Sequence, residues 1–199
     1  MKPIVIATGN MDKFQQTIHI LISLGINPDS FLSLNDLNIV NDEPETGGVL
    51  DRAKQKALIC VSKLSQKDRL KYHCVLANDV ATILPTLNIE TTESKRIAAE
   101  ILAGKHIKRG DPMNYTYAYA LILLPDGEML TAQAEVPFVY LGNPDNLTLI
   151  QGQNTMSRVK AIPGQNVPHS QLPIQVETSH RVKYLAEALI PILERMRQL

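Results

Sequence analysis

The sequence has few of the features that mark specialised classes of protein. It contains no tryptophan, only two cysteines and equal numbers of basic and acidic residues, so the 199-residue chain has a formal net charge of +0. The balanced charge gives no indication of a nucleic-acid-coating or membrane-surface protein. No apolar run approaches the ~20 residues that a membrane-spanning helix needs. We therefore expect a globular protein without a nucleic-acid or membrane partner, in which a local site holds any anionic ligand.

The cysteines and the amino-terminal segment favour a cytoplasmic protein. Cys60 and Cys74 lie in apolar stretches without Cys-x-x-Cys spacing or a nearby histidine cluster, which is typical of reduced core thiols in a cytosolic protein. The apolar run from Ile4 to Ala7 is too short for the core of a signal peptide. A chain of this length can bury about 70% of the surface that its unfolded form exposes. We therefore expect one domain over residues 1–199.

The first half of the sequence alternates predicted strands with predicted helices. The apolar run from Ile4 predicts a buried strand that ends at a Thr-Gly-Asn turn and leads into an amphipathic helix. A short strand is expected around residues 31–32, and a second amphipathic helix over residues 49–64. The next apolar strand, residues 75–77, is expected to end at residues 78–79.

The second half combines a predicted hairpin with helices and loops. Residues 91–103 predict a helix, and residues 115–124 and 129–140 predict two hairpin strands joined by an Asp-Gly turn. Residues 142–173 are rich in Gly, Pro, Asn and Gln and predict mobile loops. The last amphipathic helix is expected to begin at about Ser179. Together the elements predict an α/β fold with a mixed twisted sheet and flanking helices.

Three places along the chain carry residues suited to phosphate chemistry. A turn at Thr8-Gly9-Asn10 that opens a helix presents free backbone N–H groups to an anion, and Lys13 adds a charge there. Such a turn is also an ordinary helix cap. Glu45 lies in a polar loop, and Lys56 lies in the predicted helix that follows it. Both would normally be solvated surface groups. Asp79 follows a buried strand at the edge of the sheet where α/β proteins usually bind ligands.

Five short segments of the chain follow the order and approximate spacing of one family's motifs. They are Thr8-Gly9-Asn10 with Lys13, similar to T/S-G-N-x-x-K; Glu45-Thr46-Gly47, similar to E-T-G; Asp51-x-Ala53-x-x-Lys56-Ala57, similar to E-N-A-x-x-K-A; Leu76-Ala77-Asn78-Asp79, similar to L-A-D-D; and Ser179-His180-Arg181, similar to S-H-R. The chain therefore resembles the nucleoside triphosphate pyrophosphatases of the inosine triphosphatase (Ham1) family.

The resemblance implies a fold, a reaction and a set of site residues. The fold would have two lobes around a central cleft, with a hairpin-containing lobe at about 105–145, usually in a homodimer. The reaction would be Mg²⁺-dependent hydrolysis of nucleoside triphosphates, above all deaminated purine nucleotides, to monophosphate and pyrophosphate. Glu45 and Asp79 would bind Mg²⁺, and Asp79 would also orient or deprotonate the attacking water. Substrate would be held by eight residues: Thr8, Gly9, Asn10, Lys13, Lys56, Ser179, His180 and Arg181.

Two hypotheses about function follow from where the chain departs from the motifs. Asn78 replaces the first aspartate of L-A-D-D, and the base-reading F-G-Y-D segment has no counterpart over residues 142–173. The first hypothesis is an active pyrophosphatase with altered base specificity, because the phosphate and metal positions are kept. The second is a catalytically impaired protein of the same fold that binds a nucleotide or a partner protein.

Overall fold

The described chain divides into two units. The computed structural model describes residues 2–27, 29–41, 43–93, 97, 107–125, 127–142 and 156–198. The first unit comprises Met1–Asp79, Tyr117–Ala134 and Arg181–Leu199, and the second comprises Val80–Thr116 and Glu135–His180.

Parallel strand pairing organises the beginning of the chain. Strand β1 (Ile4–Ile6) pairs in parallel with β2 (Phe31–Ser33) on one side and with β3 (Cys74–Leu84) on the other. All three residues of β1 are fully buried, which explains why its sequence is continuously apolar rather than alternating. The predicted strands at residues 4–7 and 31–32 are confirmed.

Helices connect these strands, as parallel pairing requires. Helix α1 (Met11–Ser23) lies between β1 and β2, and α2 (Val49–Lys63) and the one-turn α3 (Gln66–Arg69) lie between β2 and β3. Each of the two longer helices buries one face of small or apolar residues, spaced three or four apart. These residues are Phe14, Thr17, Ile20 and Leu21 in α1, and Val49, Ala53, Ala57 and Cys60 in α2. Both predicted helices are confirmed.

Strand β3 is longer than the sequence predicts. It does not end at residues 78–79 but continues to Leu84, and its last three residues pair antiparallel with β4 (Ile89–Thr91). Its first half pairs with β1 only as far as Leu76, opposite Ile6. Asp79 therefore lies in mid-strand, just beyond the carboxyl end of β1 rather than at the end of β3.

The predicted hairpin is present and completes the main sheet, but its second strand, predicted over residues 129–140, ends at Val136. Strands β5 (Asn114–Leu123) and β6 (Met129–Val136) are joined by a short turn, in which the Leu123 N–H donates to the Glu128 carbonyl at 2.9 Å. The sheet order is β2-β1-β3-β5-β6, with β4 beside β3. Parallel and antiparallel pairs therefore share one sheet, and the predicted mixed sheet with flanking helices is confirmed.

The second unit contains a smaller sheet and a cluster of aromatic rings. Strand β7 (Val139–Tyr140) pairs antiparallel with β8 (Lys160–Ala161), which directly follows the one-turn helix α4 (Met156–Val159). The Lys160 ammonium lies 3.7 Å from the ring centroid of Tyr115 and 4.4 Å from that of Phe138. The prediction of loops throughout residues 142–173 is therefore wrong for residues 156–161, where apolar Met156 and Val159 are buried. The helix predicted at 91–103 does not begin at Thr91, which is the last residue of β4. Apart from Ile97, residues 94–103 lie outside the described residues.

The last helix begins before the residue that the sequence predicts. Helix α5 runs over Ile174–Arg197, and the carbonyl of Pro173 accepts the N–H groups of Val176 at 2.9 Å and Glu177 at 3.2 Å. Proline suits a helix start because its missing N–H would have no partner there in any case. Ser179 is therefore inside the helix and not its N-cap. Arg181 lies well beyond the first turn, so its charge is not opposed by the positive end of the helix dipole.

Both cysteines are free and buried, as predicted. Burial raises the pKa of the Cys60 thiol to about 12, and burial also raises the pKa of the Cys74 thiol. Both groups are therefore neutral at physiological pH and unreactive. Among the residues that the structure describes, no helix has the combination of length and apolar character that crossing a membrane would require.

Two tyrosines on β5 give a test of the core. Tyr117 and Tyr119 are both buried, but only Tyr117 has its hydroxyl bonded, to Arg181 Nε at 3.0 Å; the Tyr119 hydroxyl has no partner among the described residues. An unpaired buried hydroxyl costs free energy that phenylalanine avoids.

Tyr119→Phe should therefore raise the free energy of unfolding by ~1 kcal/mol, measured by urea denaturation. The matched variant Tyr117→Phe should lower it. A loss of stability in Tyr119→Phe would mean that its hydroxyl is paired.

Candidate active site

The turn between β1 and α1 is organised by its own side chains. The Thr8 Oγ1 accepts the Asn10 N–H at 3.2 Å, and the Asn10 Oδ1 caps α1 by accepting the Lys13 N–H at 3.1 Å. The Asn35 side chain donates to the Gly9 carbonyl at 3.1 Å. Thr8, Gly9 and Asn10 thus form the helix cap that the sequence also allowed. Their role in phosphate binding stays a prediction.

The loop before α2 is held against that helix by one glutamine. Gln55 donates to the Thr46 carbonyl at 2.9 Å and accepts the Thr46 N–H at 3.0 Å. Gly47 has a φ of +84°, and a Cβ there would lie 3.2 Å from Asp51 Cβ. Only glycine fits this left-handed turn without strain. The turn and the Gln55 bonds fix the position of Glu45 relative to α2.

Helix α2 directs two cations toward Glu45 and Asp79. Arg52 and Lys56 are four residues apart and therefore share one face of the helix. Lys56 Nζ lies 2.6 Å from Asp79 Oδ1 and 3.1 Å from Glu45 Oε2, so one ammonium joins both carboxylates. Lys13 Nζ, from α1, lies 3.4 Å from the same Asp79 oxygen. The structure therefore brings together four of the residues that the motifs singled out.

Arg52 makes the most extensive contacts in this group. Its Nε donates to Asp79 Oδ2 at 2.9 Å, its Nη2 lies 3.2 Å from Glu45 Oε2, and its Nη1 donates to the Glu45 main-chain carbonyl at 2.9 Å. The guanidinium thus spans the two carboxylates. We call Lys13, Glu45, Arg52, Lys56 and Asp79 the charge cluster; it contains three cations and two carboxylates, all within the first unit.

The charge cluster keeps Asp79 ionised. Burial alone would raise the pKa of the Asp79 carboxyl, but the charges of Lys56 and Lys13 and the hydrogen bonds from Lys56 and Arg52 hold it below its usual range. For Lys13, burial and the like charge of Lys56 lower the pKa of the ammonium, although Asp79 acts in the opposite direction. A carboxylate with a lowered pKa is a weak base but a strong hydrogen-bond acceptor.

Arg52 and Gln55 are the two site residues that sequence analysis missed. Arg52 falls on the second position of the E-N-A-x-x-K-A motif, where the family has asparagine, so a comparison of motifs alone gives it no role. The spacing was nevertheless informative, because a second cation one turn before Lys56 lies on the same helix face. Gln55 had no comparable signal, since its contacts depend on the path of the loop.

Asn78 does not share the environment of Asp79. Successive side chains of a strand point to opposite faces of the sheet, and Asp79 faces the cations of α1 and α2. Asn78 therefore faces the other side, where its Oδ1 is buried without a hydrogen-bond partner among the described residues. Restoring an aspartate at position 78 would place a charge on that side of the sheet, not beside Glu45 and Asp79.

The carboxyl-terminal motif residues have separate partners. Ser179 is exposed, His180 Nε2 lies 2.8 Å from the Pro137 carbonyl, and the buried Arg181 donates to the Tyr117 hydroxyl. The His180 ring also contacts the edge of Phe138, with the ring centroids 5.0 Å apart. Their predicted role in holding the base stays a prediction.

The fold is shared with solved structures along almost the whole chain. No family model and no curated protein sequence matches the chain. A nucleoside-triphosphatase, described as a dITP/XTP pyrophosphatase, from Mycobacterium abscessus is 21% identical with a TM-score of 0.60, over 96% of this chain and 99% of its own. The Ham1 protein of Staphylococcus aureus is 17% identical with a TM-score of 0.61, over 99% of each chain.

A third structure gives the same result over its full length. A HAM1 protein from Coxiella burnetii is 17% identical to this chain, with a TM-score of 0.64 over 100% of both chains. The five sequence motifs therefore identified the correct fold, and the chain has the fold of the Ham1 proteins and nucleoside triphosphatases.

Proposed function

We propose that the protein hydrolyses nucleoside triphosphates to the monophosphate and pyrophosphate, with the charge cluster as its active site. The observation that carries the proposal is the convergence of Glu45 and Asp79 on the single ammonium of Lys56, at 3.1 and 2.6 Å. Phosphoryl transfer needs little covalent chemistry from the protein but requires cations for the phosphates and oxygen ligands for a metal. The charge cluster contains both. The substrates named for the M. abscessus protein, dITP and XTP, make deaminated purine nucleotides the proposed class.

The donor atoms of the charge cluster suit Mg²⁺. This ion prefers oxygen ligands and is commonly held by one or two carboxylates together with substrate phosphates. Glu45 and Asp79 provide two carboxylates, although no larger group of His, Cys, Asp or Glu able to hold a metal occurs among the described residues. These two residues would hold the ion. When bound, Mg²⁺ supplies positive charge that offsets the charge developing on the phosphates.

The remaining roles follow from charge and position. Lys13, Arg52 and Lys56 bind the phosphate oxygens. Asp79, as an ionised carboxylate, accepts a hydrogen bond from the attacking water and orients it. The water oxygen forms a bond to the α-phosphorus as the bond from that phosphorus to the bridging oxygen breaks. Pyrophosphate leaves, and the proton of the water passes to solvent.

A second function is favoured by one feature of the same site. Both oxygens of Asp79 are already bonded to protein cations, and the cations of the charge cluster outnumber its carboxylates. Such a site can hold an anion without a metal, as a protein that binds nucleotides without hydrolysing them would require. The homodimer and the cytoplasmic location stay predictions under either function.

A panel of triphosphates distinguishes the two functions. We expect pyrophosphate release from dITP, ITP or XTP in the presence of Mg²⁺ and none with EDTA, measured by a coupled pyrophosphate assay with identification of the monophosphate by chromatography. ATP, GTP, CTP and UTP provide the comparison. Binding of these nucleotides without release of pyrophosphate, by protein whose circular dichroism is that of a folded α/β protein, would favour the non-catalytic function.

A further inference from the structure

We propose that Arg52 takes the place of the metal ion between Glu45 and Asp79 while no nucleotide is bound. Metal and triphosphate would then bind together, because the triphosphate draws Arg52 away from the carboxylates. The inference concerns the same site as the proposed function and rests on it. It assigns Arg52 a positioning role that the motifs do not give to this residue.

The geometry of Arg52 is that of a bridge between two metal ligands. One guanidinium nitrogen contacts Asp79 Oδ2 at 2.9 Å and another contacts Glu45 Oε2 at 3.2 Å. Asp79 Oδ1 is bonded to Lys56, so both oxygens of this carboxylate have cationic partners. A metal ion therefore has to compete with these cations for the oxygens of Asp79.

The charges oppose metal binding to the nucleotide-free site. The charge cluster has three cations and two carboxylates, so an incoming Mg²⁺ meets a net positive group. Like charges a few ångströms apart repel strongly where water is partly excluded. Asp79 has only 5% of its side chain exposed, and Glu45 has 14%, so solvent screens this repulsion poorly.

A triphosphate removes this obstacle. It brings several negative charges, and the planar fork of arginine binds phosphate oxygens in pairs. Arg52 has 25% of its side chain exposed, which is more than either carboxylate, so it can turn outward while α2 stays in place. Its departure frees oxygens of Glu45 and Asp79 for the metal, and the metal in turn holds the phosphates. Binding of each ligand thus favours binding of the other.

Titration of the nucleotide-free protein with Mn²⁺, followed by electron paramagnetic resonance, tests the first half of the proposal. Arg52→Gln removes the charge and keeps most of the length. We expect it to bind Mn²⁺ at least ~10-fold more tightly than the native protein. The matched control is Lys54→Gln, which removes one charge from the same helix at a lysine that pairs with Asp51 at 3.6 Å. It should leave Mn²⁺ affinity nearly unchanged. Equal affinities in all three proteins would overturn the proposal.

The coupling between ligands tests the second half. An α,β-methylene analogue of ITP, which cannot be cleaved at that bond, should raise the Mn²⁺ affinity of the native protein more than that of Arg52→Gln. Mn²⁺ bound by the analogue alone is measured separately and subtracted. An equal rise in both proteins would contradict the idea that Arg52 couples the two ligands.

A spectroscopic measurement covers the case in which Arg52→Gln does not fold. The Nε–H resonance of Arg52, assigned by its loss in Arg52→Lys, should be unchanged by Mg²⁺ alone. It should shift when Mg²⁺ and the analogue are added together. A shift with Mg²⁺ alone would overturn the proposal.

None of these measurements requires turnover. If the triphosphate panel shows no pyrophosphate release while the Mn²⁺ results are as expected, the proposed reaction is wrong and the role of Arg52 stands.

Discussion

Asp79→Asn is expected to lower the rate of pyrophosphate release by about 10²-fold or more, the scale for losing a catalytic carboxylate. Of the two carboxylates of the charge cluster, Asp79 is the one that contacts all three of its cations. An amide retains the shape of the side chain and can still accept a hydrogen bond, but it lacks the charge that orients the water and binds the metal. The rate is measured with the best substrate of the triphosphate panel.

The control for Asp79→Asn is Glu43→Gln. Glu43 lies in the same loop as Glu45, but its side chain is 55% exposed and pairs with Lys63 at 3.8 Å, away from the charge cluster. Its replacement should leave the rate unchanged. Thermal unfolding of both variants establishes that the assay temperature is below their melting points. A folded Asp79→Asn protein with near-native turnover would mean that the catalytic carboxylate is another residue.

Arg181→Ala is expected to lower the free energy of unfolding by ~2–4 kcal/mol, the range for losing a large buried side chain. Arg181 is 1% exposed and donates to the hydroxyl of Tyr117, which is also buried. Its removal leaves a cavity and takes a partner from that hydroxyl. Urea denaturation measures the loss.

Arg181→Met separates the two causes of this loss. Methionine fills much of the space but cannot donate a hydrogen bond, so its effect should be clearly smaller than that of alanine. If the alanine and methionine variants lose the same free energy of unfolding, the hydrogen bonds of Arg181 matter more than its volume. A loss below ~0.5 kcal/mol in Arg181→Ala, the level of an ordinary surface substitution, would contradict a structural role. If Arg181→Met folds, its affinity for triphosphates with different bases, compared with that of the native protein, tests the predicted role of Arg181 in holding the base.

The sequence predicted those parts of the fold that depend on local patterns. The continuous apolar run of β1 and the helical spacing of α1 and α2 are recognisable without knowing which segments pack on them, and all three elements occur where expected. The motifs also identified Glu45, Lys56 and Asp79, which meet although they come from a loop, a helix and a strand.

The errors occur where the surroundings of a residue, in the chain or in the fold, override the preference of that residue alone. Asn78 and Asp79 are common turn residues, yet β3 continues through them to Leu84, and its last three residues pair antiparallel with β4. Ser179 is a good N-cap, but Pro173 had already started the helix. Arg52 was overlooked because its role depends on contacts with two carboxylates, one in a loop and one in a strand, that form only when the chain folds.

The two hydrogen bonds between Gln55 and Thr46 have a consequence for the entropy of ligand binding. They attach the loop that carries Glu45 to the same helix that carries Arg52 and Lys56. The backbone that carries these three residues therefore moves as one unit, and little backbone freedom remains to be lost when a ligand arrives. Because the loop is ordered in advance, the free energy of its contacts is available for affinity. Slow hydrogen exchange at the Thr46 amide would be the sign of this preorganisation in solution.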